Sequence, residues 1–149
     1  MHAMEAQPAI LLEILVSGVL IAVTMVVHGC GMYAVVQIAH RLAVAPHRGR
    51  PTFYAGQVLA LVVLLALTVL VVDMSIWAFA FVAMELIPDP RLALHFAALT
   101  FTTLGASTPL PAQWLLLEAS CAIAGTFTFA WTTAVLFQIL NRLIPWHSA

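Results

Sequence analysis

The sequence predicts an all-α membrane protein with three transmembrane helices and one short re-entrant helix, and three observations lead there. The 149 residues are 64% hydrophobic and only 7% charged, more apolar surface than a single soluble core of this size can hide, so lipid becomes the solvent. Three apolar stretches, from Ile10 to Ala39, from Tyr54 to Ile87 and from Trp114 to Leu143, each exceed the roughly 20 residues of helix that cross a hydrocarbon core. Between the second and third lies a segment that starts like a helix and is too short to cross.

The first stretch follows Met1-His2-Ala3-Met4-Glu5. That start has no positive n-region, so the stretch reads as a retained span rather than a cleaved leader. It ends in Arg41, His47, Arg48 and Arg50, set among Pro46, Gly49 and Pro51, a short basic connection that the positive-inside rule places in the cytoplasm. Counting spans from there puts the N-terminus, with Glu5 and Glu13, outside and the C-terminus, with Arg142, inside. The second stretch approaches about 50 Å at 1.5 Å per residue, so it must tilt or protrude.

Asp89-Pro90-Arg91 is a helix start, with Asp89 as N-cap and proline at the first helical position. The expected helix runs from Pro90 to about Leu104, some 20 Å, and passes into the polar run Thr102-Thr103-Leu104-Gly105-Ala106-Ser107-Thr108 before Pro109 and Pro111 return the chain to Trp114. Irregular backbone at membrane depth is tolerated only where protein buries it or it lines a water-filled cavity. A half-helix whose C-terminus points into the bilayer offers about half a negative charge to a cation, and carbonyls beyond it can replace an ion's hydration shell. One copy cannot enclose a pore, so this reading requires an oligomer.

From about Ile76 to Arg142 the chain resembles the potassium-channel superfamily, especially its small bacterial pore-loop members. The likeness rests on Ile76-Trp77, Ile87-Pro88-Asp89, Ala98-Leu99-Thr100-Phe101-Thr102-Thr103-Leu104-Gly105, Trp114, Glu118-Ala119, Gly125 and Phe129-Ala130-Trp131-Thr132-Thr133-Ala134. It implies a homotetramer in a bacterial inner membrane that conducts monovalent cations, K⁺ and with a remodelled filter Na⁺, along a central axis without a bound cofactor. Residues 1–52 would then be an extra span and basic loop packed outside the pore. Residues 53–149 would be the pore domain, with outer helix 54–87, pore helix 90–104, filter 103–108 and inner helix 114–143. The filter would comprise Thr103, Leu104, Gly105, Ala106 and Ser107, supported by Asp73, Trp77 and Glu118. The family's Gly-Tyr-Gly-Asp stands here as Gly105-Ala106-Ser107-Thr108. Ala106 removes the aromatic that would pack behind the filter, and Ser107 would cost about 1–2 kcal/mol in a left-handed conformation. The expected outcome is weakened K⁺ selectivity or a channel-like scaffold or regulatory subunit that does not conduct.

The intramembrane acids carry further expectations. Asp73, deep in its span at about 2.5–3.5 kcal/mol on insertion scales, needs a partner, and counting down from Ile87 places it beside the end of the short helix near Thr102 or Thr103. Glu118 would brace the filter from behind; the alternative for both acids is a buried carboxyl that satisfies a neighbouring helix. A contact of His28 with Asp73 is not expected, because counting from Arg41 and Arg50 separates their depths by about 15 Å. Thr126, Phe129, Thr133 and Phe137 share a helical face that would line a cavity or gate, or serve as a packing stripe; Gly125 would be a hinge or a close-packing residue. There is no lysine, no basic run suited to nucleic acid, no close histidine spacing for a metal, and no converging nucleophile and base for an enzyme.

Overall fold

The structure, a computed structural model, describes residues 2–44, 51–105 and 109–143. These form helix α1 (His2–Val44), α2 (Pro51–Ala83), α3 (Pro90–Phe101), a 3₁₀ turn (Ala112–Trp114) and α4 (Leu115–Leu143). Three of these elements, over Ile10–Ala43, Phe53–Ala83 and Ala112–Leu143, are long and apolar enough to cross a membrane. The chain is an integral membrane protein of all-α class. Ala106, Ser107 and Thr108, on which the filter's departure from the family pattern falls, lie outside the described residues, as do residues 45–50 of the basic connection.

Helices α1 and α2 are antiparallel. Gly31 is what lets them approach, since a Cβ there would stand 2.7 Å from a methyl of Val69. Lower down, the Tyr54 hydroxyl donates to the Leu42 carbonyl at 2.9 Å. Helix α4 runs parallel to α1 along its length: Glu13 meets the first turn of α4, and Gly29 lies under the Trp131 ring, whose edge would be 3.3 Å from an added Cβ. Helix α1 packs along both α2 and α4. Met32, Val35 and Ala39 of α1 share a buried cluster with Val58, Val62 and Ala66 of α2 and Ile139 of α4. The outward faces keep large apolar side chains such as Leu15, Val26, Leu64 and Phe79 exposed, as lipid-facing surfaces require.

The second span is as long as its apolar run implied, since α2 covers 33 residues, about 50 Å at 1.5 Å per residue, and so tilts or protrudes; it stops at Ala83 rather than Ile87. The Leu86 amide donates to the Phe81 carbonyl at 3.0 Å, the Glu85 amide donates to that of Val82 at 3.0 Å, and Glu85 takes a left-handed φ of 56°. This is a Schellman stop with a non-glycine residue in the left-handed position, which is why no glycine marked it. The chain then turns to Asp89, whose carboxylate accepts from the amides of Arg91 and Leu92 at 2.7 and 3.2 Å and starts α3. Helix α3 buries Ala93, Phe96, Ala97 and Phe101 in a core shared with Trp77 and Phe81 of α2 and Leu117, Cys121 and Ala124 of α4. Phe96 meets Phe81 edge-on at 5.2 Å. Cys30 and Cys121 are both free thiols.

Candidate functional site

The end of α3 is the first part of the site. The helix closes at Phe101, three residues before the expected Leu104, because the Schellman pattern recurs. The Leu104 amide donates to the Leu99 carbonyl and the Thr103 amide to that of Thr100, both at 2.9 Å, with Thr103 left-handed at φ 62°. A β-branched residue in that region is a genuine outlier. Gly105 is left-handed as well, at φ 74°, whereas Thr102 has φ −85° and Leu104 is not among the positive-φ residues. Handedness therefore alternates from Thr102 to Gly105. The Thr102 hydroxyl donates back to the Ala98 carbonyl at 2.7 Å and is satisfied inside the turn.

What seats this end against α4 is Gly125. A Cβ there would lie 1.9 Å from the Phe101 carbonyl oxygen and 2.7 Å from its carbon. Backbone meets backbone, so of the two roles read for Gly125 the close-packing one is realised. Gly125 stands about ten residues, or roughly 15 Å, into α4, about half the depth of a hydrocarbon core. Phe101 also meets Phe129 edge-on at 6.0 Å.

Beside the loop is a cavity of about 320 Å³ lined by Thr100, Thr103, Gly105, Glu118, Ala119 and Ala122. Glu118, half-buried, thus faces the residues it was expected to brace. The Thr100 hydroxyl, on a residue 2% exposed, has no hydrogen-bond partner among the described residues. Leu104 is 76% exposed. Of the proposed cavity face, Thr126, Thr133 and Phe137 are exposed and Phe129 is half-buried. The two threonine hydroxyls donate to the carbonyls of Ala122 and Phe129 at 2.9 and 2.8 Å, which satisfies them without a partner from elsewhere.

The second part of the site overturns an expectation. His28 and Asp73 are in direct contact, His28 Nδ1 to Asp73 Oδ2 at 2.7 Å, and both side chains are fully buried. The depth count failed because it took Arg41 and Arg50 as level. With Gly31 against Val69, Arg41 stands at about the level of Leu59, roughly eight residues or 12 Å along α2 from its first residue, Pro51. Asp73 consequently bonds to α1 rather than to Thr102 or Thr103. Its other oxygen, Oδ1, has no partner among the described residues, nor has the Nε1 of Trp77 one turn further along α2. Trp77 itself is fully buried beside Phe81.

His28 extends the contact to α4. Its Nε2 lies 3.3 Å from the Thr132 hydroxyl, and its ring meets Trp131 edge-on at 5.5 Å. In the neutral tautomer whose Nδ1–H donates to Asp73, Nε2 accepts from Thr132; in the imidazolium form both nitrogens donate. One line of hydrogen bonds therefore ties three spanning helices at a common depth. Threonine, histidine and aspartate stand in the order of a nucleophile, base and orienting acid, but the threonine is 6% exposed and the other two 0%. All three side chains are therefore enclosed by the packed helices.

A third acid, Glu13, is buried at 5% exposure, and one oxygen accepts from the amides of Leu116 and Leu117 at 2.6 and 3.3 Å. It caps α4 from another helix, satisfying amides that have no partner within α4 and meeting the positive end of its dipole.

No protein-family model, curated protein or solved structure matches this chain.

Proposed function

We propose that the chain is the subunit of a homotetrameric pore-loop cation channel, passing monovalent cations with weakened preference for K⁺. The observation that carries this reading is α3: a 12-residue helix, too short to span, whose end is held against the middle of α4 by Gly125 and is followed by a loop of alternating handedness. In this reading α3 is re-entrant, and its C-terminal dipole favours a cation at mid-depth. Carbonyls beyond it supply the oxygen ligands. Glu118 faces the loop from behind, and the face with Thr126, Thr133 and Phe137 lines the inner cavity. Neighbouring copies cover Leu104, whose exposure is otherwise costly near an aqueous axis.

The resemblance between Ile76 and Arg142 supports the same reading. Ala106 and Ser107 stand where the family has Tyr and Gly, and this favours a second one, the same assembly acting as a non-conducting partner of other membrane proteins. Flux of K⁺, Na⁺ and a large organic cation into liposomes holding the purified protein separates the two. The channel reading expects K⁺ and Na⁺ flux within about tenfold of each other, an energy gap of about 1.4 kcal/mol, and a sharper K⁺ preference after Ala106→Tyr with Ser107→Gly. An intact tetramer that passes no ion supports the scaffold.

A further inference from the structure

A cleft opens between the last turns of α1 and α4, at the end where Arg41 and Arg142 lie. Val36, Ala39, Ala43 and Ile139 form its apolar wall, and His40 and Arg142 stand at its rim. Its volume of about 120 Å³ falls well below the roughly 300–1,000 Å³ of small-molecule pockets. It admits a stretch of alkyl chain, and its apolar wall beside the Arg142 guanidinium matches an amphiphile lying along the helices.

The charge pattern narrows the occupant. His40, Arg41 and Arg142 are exposed, and Arg48 and Arg50 fall in the connection that leaves α1 here. The described acids Glu13, Asp73, Glu85, Asp89 and Glu118 lie at mid-depth or toward the opposite end. A basic rim over an apolar cleft between spanning helices is suited to an anionic headgroup, and the planar guanidinium of Arg142 can take two phosphate oxygens at once.

We infer that this cleft is a binding site for an anionic phospholipid of the surrounding bilayer, with its phosphate on Arg142 beside His40 and an acyl chain along Ala39 and Ile139. The inference does not depend on the channel reading. A lipid here would bridge α1 to α4 at the end remote from Glu13, clamping the two parallel helices at both ends.

The test is native mass spectrometry of the delipidated full-length protein mixed with phosphatidylglycerol or phosphatidylcholine of identical acyl chains. Adducts with phosphatidylglycerol are expected to exceed those with phosphatidylcholine by about tenfold, because basic residues at a membrane surface favour anionic lipid. Arg142→Gln should lower them to the phosphatidylcholine level, Arg142→Lys should leave an intermediate level because the charge stays but the two-oxygen contact goes, and Ala43→Leu should remove them by filling the cleft with charge unchanged. Circular dichroism verifies that each variant retains its helices. Equal retention of the two lipids, or adducts that survive Arg142→Gln or Ala43→Leu at the wild-type level, overturns the site.

Discussion

Single residues hold the three spanning helices in register, and their substitution gives the sharpest expectations. Removing one member of the buried His28–Asp73 contact leaves the other without its partner, so Asp73→Leu or His28→Leu alone should destabilise the protein by about 3–5 kcal/mol. The double substitution should recover much of that loss, because an apolar pair needs no proton. Thermal unfolding in detergent across this mutant cycle measures the coupling. Glu13→Ala should cost about 1–2 kcal/mol by leaving the Leu116 and Leu117 amides unpaired; in Glu13→Gln the side-chain carbonyl can still accept, so a smaller loss is expected. None of these contacts was legible locally. The buried acids were conspicuous, yet partner choice depends on helix register, and register is set by Gly31 and Val69 rather than by the arginines of the connection. Glu13 acts across more than a hundred positions, where no capping pattern can be read.

Among the elements, α3 was read most fully at its start and least at its end. Asp89-Pro90 is a local signal and appears in the structure as an N-cap with two amide contacts. The stop is carried by Thr103, a residue type that rarely adopts positive φ, so the composition pointed to Leu104 instead. Thr103→Gly should relieve that strain and raise stability by about 1 kcal/mol, read as a rise in melting temperature. Gly125→Ala should act in the opposite direction. Its methyl would stand 1.9 Å from the Phe101 carbonyl oxygen, far inside van der Waals contact, forcing α3 away from α4 at a cost of several kcal/mol. Under the channel reading, that variant loses flux while keeping its three long helices, which circular dichroism and flux measured together would register. The spans themselves were legible because hydropathy reports them directly, although their ends moved by several residues where non-glycine stops or continued helix replaced the expected breaks.

At the scale of the whole molecule, α1, α2 and α4 form one bundle, with α3 wedged between α2 and α4. The helix count followed from composition, but the packing of α1 along α4 did not, since hydropathy gives spans without neighbours. This arrangement makes the first span part of the frame that positions the proposed inner helix, through Glu13 at one end and His28 with Thr132 near its middle. The central claim is that ions pass along the open face of α4. The most direct test places a cysteine at Thr133 in a protein carrying Cys30→Ser and Cys121→Ala, and measures liposome cation flux before and after a thiol-reactive cation is added from the aqueous phase. The expected result is flux in the untreated protein, labelling of the new cysteine, and loss of most of that flux on labelling. Absence of flux, a cysteine the reagent cannot reach, or flux unchanged after complete labelling would contradict the account.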